Sequence, residues 1–151
     1  MPNMPSQVAN LNPERISVVI PAYNAAWCIE RALDSVLSQT QPATEIIVID
    51  DGSQDNSAEI VAAYRVQHGD KIRLIQKQNK GLSAARNTGI HAASCDYVAF
   101  LDADDYWLSG KLAAQSALFK QQPELAFCST AADVVDQNGS RLQQWTCPTS
   151  P

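Results

Sequence analysis

A chain of 151 residues, 45% hydrophobic and 18% charged, has the size and balance of one globular domain rather than a disordered segment. Its formal net charge of −5 excludes a broad nucleic-acid footprint, and no basic patch marks an anionic membrane surface. An acidic protein that takes an anionic ligand needs local compensation from placed cations, helix N-termini or a bound metal.

Residues 1–15 form a polar tail without the apolar core of a signal peptide. No apolar run approaches the ~20 residues of a membrane-spanning helix. Cys28, Cys95, Cys128 and Cys147 are scattered, with no CxxC pair and no zinc-like spacing to His68 or His91. They read as thiols in a reducing compartment. The expected location is cytoplasmic, compatible with peripheral association at the inner face of a membrane.

Ile16-Ser-Val-Val-Ile20 is a β-branched strand halted by Pro21, and Asn24 is placed to cap the helix that carries Ile29, Leu33, Val36 and Leu37. After Pro42, Glu45-Ile-Ile-Val-Ile49 forms a second strand and delivers Asp50-Asp51-Gly52-Ser53 at its end. A helix starting near Asp55 or Asn56 turns Ile60, Val61 and Tyr64 inward. Lys71 to Ile75 alternates polar and apolar residues, as a strand near a sheet edge does. Asn79-Lys80-Gly81 makes a turn, and Leu82, Ala85, Gly89, Ile90 and Ala93 mark the next helix. Tyr97-Val-Ala-Phe-Leu101 is a strand ending in Asp102-Ala103-Asp104-Asp105. A helix spans about Lys111 to Gln121, followed by short strands in Leu125 to Thr130 and at Val134-Val135, with a turn at Asn138-Gly139.

Strands alternating with helices imply an α/β fold with parallel pairing, and near-continuous apolar strands imply a sheet covered on both faces. Ligands of such sheets bind at the carboxyl ends of the strands, where three polar clusters fall: Pro21 to Asn24, Asp50 to Ser53 and Asp102 to Asp105. Tyr23, Asp51 and Asp104 are expected to converge on one cleft there.

Three aspartates within four residues repel one another unless solvated, protonated or bridged by a cation. Oxygen-only ligands suit Mg²⁺ or Mn²⁺, with Asp104 as the principal metal ligand and Asp102 supporting it or reaching a ribose. The same aspartates also suit caps of the following turn. Tyr23 can stack on a nucleobase while Asp51 accepts the imino N–H of uracil; equally, Tyr23 can be a core aromatic and Asp51 a turn cap. The turn and helix at Lys80 to Gly89 offer free N–H groups to phosphate, with Arg86 and Asn87 bordering the ligand and the small residues packing closely. No GxxxxGK[ST] is present, which excludes a P-loop, and no GxGxxG follows Ile20, which disfavours a dinucleotide-binding oxidoreductase. An aspartate-based phosphotransferase also gathers carboxylates at strand ends, but here the first strand ends in Pro21-Ala22-Tyr23.

Taken together, Ile16 to Asn24, Ile47 to Ser53, Asn79 to Asn87 and Phe100 to Asp105 resemble the family 2 glycosyltransferases of the GT-A fold. The resemblance implies an α/β/α sandwich with a mainly parallel central sheet, truncated at its C-terminus. It implies a UDP- or dTDP-sugar donor, Mn²⁺ or Mg²⁺, and transfer, in the inverting sense, to a saccharide, lipid-linked or protein acceptor. The donor nucleotide set it implies is Pro21, Ala22, Tyr23, Asn24, Asp51, Gly81, Arg86, Asn87, Asp102 and Ala103, with Asp104 and Asp102 on the metal. Residues 16–136 are the expected nucleotide-sugar-binding domain, and 137–151 a tail that begins an acceptor-binding segment. The family's catalytic base, an aspartate that deprotonates the acceptor hydroxyl, is expected downstream of Pro151. Asp133 and Asp136 read instead as surface-turn residues. A catalytically silent nucleotide-binding or assembly module of the same fold is the alternative.

Overall fold

A computed structural model describes residues 11–146. Four parallel strands build the central sheet: β1 (Ile16–Ala22), β2 (Glu45–Asp50), β3 (Ile72–Gln76) and β4 (Tyr97–Phe100), in the order β3-β2-β1-β4. Helices α1 (Ile29–Leu37), α2 (Ser57–His68) and α3 (Leu82–Ala92) connect them, and α4 (Lys111–Gln121) follows the sheet. The two inner strands, β1 and β2, are buried along their whole length, as their unbroken apolar sequences require. β3 lies at an edge and is half exposed, in keeping with its alternating sequence.

Alternation along β1 divides the core. Val18 and Ile20 pack with Ile29 and Leu33 of α1, Val61 of α2 and Leu112 of α4, whereas Val19 joins Ile47, Ile49 and Ala85 of α3 on the other face. The sheet is therefore covered on both sides, giving the α/β/α sandwich. Glu45 fastens its N-terminal edge: its carboxylate accepts hydrogen bonds from Ser17 Oγ, Ser94 N and Oγ, and Arg73. Burial works to raise its pKa, but these donors outweigh burial and hold it down at about 2.

Several local expectations change. β1 does not stop at Pro21 but runs through it to Ala22. β4 accompanies β1 only as far as Phe100, opposite Val19, so the missing N–H of Pro21 faces a side where no partner strand continues. Asn24 does not cap α1, which begins at Ile29 after a turn closed on the Ala25 carbonyl. Leu82 and Ile90 point outward from α3, whose inner stripe is the small pair Ala85 and Gly89. No strand forms between Leu125 and Thr130. The chain beyond Asp136, expected to be a tail, supplies β6 (Arg141–Trp145), which pairs antiparallel with β5 (Ala132–Val135). The boundary at residue 136 would cut this hairpin at its turn, where Asp136 accepts the N–H groups of Asn138 and Ser140. Glu14, in the polar N-terminal stretch, forms an ion pair with Lys120 of α4.

Candidate functional site

The C-terminal edge of the sheet is built from three strand ends joined by side chains. At the end of β1, Tyr23 is 52% exposed, which excludes the core-aromatic reading. Asn24 takes a left-handed φ of 50°, a conformation asparagine tolerates. Its Oδ1 accepts the N–H of Gln54 and its own N–H donates to Ser53 Oγ, which ties the first two strand ends together.

At the end of β2, Asp50 and Asp51 are both buried. Asp50 turns to the β2–α2 turn and β3, accepting from Ser53 N and Gln76. Asp51 accepts from Lys77 Nζ at 2.6 Å, from Gly81 N at 2.8 Å, and from Lys80 N at 3.1 Å to both oxygens. Burial alone would raise its pKa; Lys77 and the two backbone donors reverse that and lower it. A carboxylate offers about four lone-pair directions, and these four contacts, two to each oxygen, use them all. The Asp51 clamp fixes the start of α3. Gly81 there has a φ of 86°, which a side chain would strain, and no side-chain cap covers the first turn of the helix.

Arg86, five residues along α3, lies about 7.5 Å further down the helix axis. Its Nη2 donates to Asp102 Oδ1 at 2.6 Å, and its buried Nε has no partner among the described residues. The end of β4 turns at Asp102, whose carbonyl accepts the N–H of Asp105. Burial pushes the Asp105 carboxyl up, and the charges of Asp104 and Asp102 push it further, while Arg31 works the other way. Arg31 of α1 donates from Nη2 to the Asp104 carbonyl at 2.8 Å and lies 4.9 Å above the Tyr106 ring. Lys111 sits 4.4 Å over Trp107. Gln39, at the end of α1, anchors the following segment by donating to the Leu108 carbonyl and accepting the Leu112 N–H.

An open groove of about 1580 Å³ runs from Arg86, Asp102 and Asp104 past Trp27 and Tyr106 to Trp145 on the hairpin. Of the predicted site residues it gathers those three. Pro21, Ala22, Tyr23, Asn24, Asp51, Gly81, Asn87 and Ala103 are not on its walls. Tyr23, Asp51 and Asp104, expected to share a single cleft, do not all line this groove, and Asp51 is buried beneath the start of α3. The physical link between the two halves is α3 itself, clamped by Asp51 at one point and bonded to Asp102 at another.

Among the described residues, no three carboxylate, thiol or imidazole side chains converge to hold a metal on their own. Asp102 and Asp104 fit a partial, all-oxygen shell of the kind Mg²⁺ and Mn²⁺ complete with phosphate and water. Arg31, Lys77, Trp27, Tyr106 and Trp107 were not singled out from sequence. Tyr106-Trp107 directly after the acids was a visible signal; Arg31 and Lys77 gave none, because their partners are 73 and 26 residues away. No helix among the described residues is long and apolar enough to cross a membrane, and Cys28, Cys95 and Cys128 are free thiols. Cys147 lies outside the described residues.

The glycosyl transferase family 2 model matches residues 17–149. An uncharacterized glycosyltransferase of Nostoc sp. is 40% identical over 130 residues, covering 86% of this chain and 40% of the relative. The putative teichuronic acid biosynthesis glycosyltransferase TuaG of Bacillus subtilis is 36% identical over 131 residues, covering 86% of this chain and 51% of that protein. Among solved structures, S. aureus TarS 1-349 in complex with UDP-GlcNAc matches with a TM-score of 0.66 and 28% identity, over 83% of this chain and 41% of TarS. The mannosyltransferase PcManGT of Pyrobaculum calidifontis, in complex with GDP-Man and Mn²⁺, matches with a TM-score of 0.60 and 29% identity, over 81% of this chain and 36% of that one. The chain thus spans about half, or less, of each of these proteins.

Proposed function

The chain belongs to glycosyl transferase family 2, and on that footing we propose that it is the donor-binding part of a metal-dependent glycosyltransferase. The observation that carries this reading is the acidic turn after β4, facing an open groove with Arg86 against Asp102 and the Asp104 carbonyl tied to Arg31. The donor is a UDP- or dTDP-sugar. Its base stacks on the exposed Tyr23 ring and donates its imino N–H to Asp51 in exchange for one of the donors that now hold it, with Pro21, Ala22 and Asn24 bordering it. This needs the ligand to open a path to Asp51, which is only 3% exposed. Gly81 and Asn87 stand at the start and outer side of α3.

The uncapped first turn of α3 and the unpartnered Nε of Arg86 are donors suited to a diphosphate. Asp104, with Asp102, holds Mn²⁺ or Mg²⁺, which when bound neutralises the diphosphate leaving group. Ala103 separates the two carboxylates. Transfer is inverting, to a saccharide, lipid-linked or protein acceptor in polysaccharide assembly. The reaction proceeds in the cytoplasm.

TarS with UDP-GlcNAc and PcManGT with GDP-Man and Mn²⁺ support a nucleotide-sugar donor and leave the base to be chosen by experiment. The test is thermal stabilisation by UDP, dTDP, GDP and their sugars, with and without Mn²⁺. A ligand at 100 times its dissociation constant adds about 2.7 kcal/mol. Stabilisation by UDP or dTDP that requires Mn²⁺ and disappears in Asp104→Ala is the expected result. Equal nucleotide affinity with and without metal, measured by calorimetry, would refute the metal-dependent reading.

A further inference from the structure

The acidic turn is straddled by two arginines from opposite faces of the sheet. Arg86 comes from α3, which packs on the Val19 face; Arg31 comes from α1, which packs on the Val18 and Ile20 face. They bond the turn in different ways. Arg86 engages a carboxylate, Asp102 Oδ1, at 2.6 Å. Arg31 donates instead to the main-chain carbonyl of Asp104 at 2.8 Å, with its guanidinium carbon 4.9 Å from the Tyr106 ring centroid.

A bond to the carbonyl fixes the backbone that carries Asp104 without occupying the oxygens a cation would need. The cation–π contact with Tyr106, two residues on, gives the same guanidinium a second hold on the turn. α1 is itself anchored in the core: Ile29, Ala32 and Leu33 are fully buried. Arg31 therefore connects the rigid core to a turn that is otherwise exposed at Asp104 and Asp105.

We propose that Arg31 is a positioning residue for the metal-ligating carboxylate of Asp104, acting through the backbone of the acidic turn. The proposal rests on the donor-and-metal reading above and adds a residue that touches neither metal nor nucleotide. It also predicts a sign. Arg31 is a cation beside a cation site, so removing it would tighten Mn²⁺ binding if through-space charge were its only influence. A positioning role predicts the reverse.

The experiment is an electron paramagnetic resonance titration of free Mn²⁺ against the chain saturated with UDP, for the unaltered protein, Arg31→Met, Arg31→Lys and Tyr106→Leu. The expected result is Mn²⁺ affinity about tenfold weaker in Arg31→Met, the low end for loss of a group that orients a metal ligand. Arg31→Lys, which keeps the charge and one donor, recovers part of the loss, and Tyr106→Leu shows a smaller loss of the same sign. Equal or tighter Mn²⁺ binding in Arg31→Met, with an unchanged melting temperature, overturns the proposal. Should Arg31→Met fail to fold, Tyr106→Leu and Arg31→Lys decide: unchanged affinity in both overturns it. Failure of the unaltered chain to bind Mn²⁺ with UDP instead sinks the donor-and-metal reading, and the role of Arg31 falls with it.

Discussion

Gly89→Ala tests how closely α3 is pressed to the sheet, and through it how Arg86 is placed. A Cβ at position 89 would stand 2.2 Å from Val19 Cγ1, 2.9 Å from Cγ2 and 3.1 Å from Cβ. Carbon atoms rest at about 3.5–4.0 Å, so the closest contact is more than about 1 Å too short. Rotating Val19 gives no escape, since both methyls are inside the contact distance and the residue is fully buried in a central strand. Helix and strand must separate instead. Overpacking of this kind costs about 1–3 kcal/mol, while alanine's better helix propensity returns at most about 1 kcal/mol. A contact of 2.2 Å belongs at the upper end of that range, so the net expectation is a loss of about 2 kcal/mol, read as a fall of roughly 4–8 °C in melting temperature for a chain of this size. Because Arg86 lies one turn before Gly89, nucleotide affinity should weaken in parallel. Scanning fluorimetry and urea melts of the variant measure the first effect. A variant as stable as the parent, or more stable, would show that propensity outweighs the contact and that α3 is not held tightly on Val19.

Asp51→Asn removes the charge that Lys77 faces while keeping the shape of the side chain. Loss of one partner from so enclosed a pair should cost about 3 kcal/mol, and a urea midpoint unchanged from the parent would contradict the clamp. Glu45 has its pKa lowered from 4.5 to about 2, so its contribution is fully present above the unfolded value and is lost as pH falls from about 5 toward 2. That shift corresponds to roughly 3 kcal/mol, so Glu45→Gln should lower stability at pH 7 and flatten its decline in that acid window, as equilibrium melts across the range would reveal. Asp104→Ala should leave the melting temperature of the free chain within about 2 °C, since its carboxylate is exposed, while abolishing Mn²⁺-dependent stabilisation by UDP.

The framework of the fold was legible because its signals are local. The unbroken apolar runs at Ile16 and Glu45 gave the two buried strands, and the segment Lys111 to Gln121 gave α4 to the residue. Where sequence reading failed, the deciding partner was distant. Pro21 is harmless in β1 only because β4 ends opposite Val19, some eighty residues later in the chain. Asn24 has every property of a helix cap, yet Ser53 and Gln54 claim it. Gln143 and Trp145 carry no alternation that marks a strand, and β6 exists only through its pairing with β5.

The site divides along the same line. The acids at the strand ends are conspicuous in the sequence because charge at the end of an apolar strand is costly. Of what holds them only Arg86 is legible, because Arg31 and Lys77 sit on a helix and a loop where a lone cation is ordinary. Yet these cations decide what a chain of net charge −5 can do with an anion. Lys77 is engaged by Asp51, and Arg86 by Asp102, so neither is an idle positive charge. A diphosphate entering the groove must compete with Asp102 for Arg86 or bring a cation that Asp102 and Asp104 can share. The second course removes the conflict, since a divalent ion satisfies Asp102 and frees the guanidinium in the same event. Metal and nucleotide binding are coupled on this account, each strengthening the other by the same factor, as linkage demands.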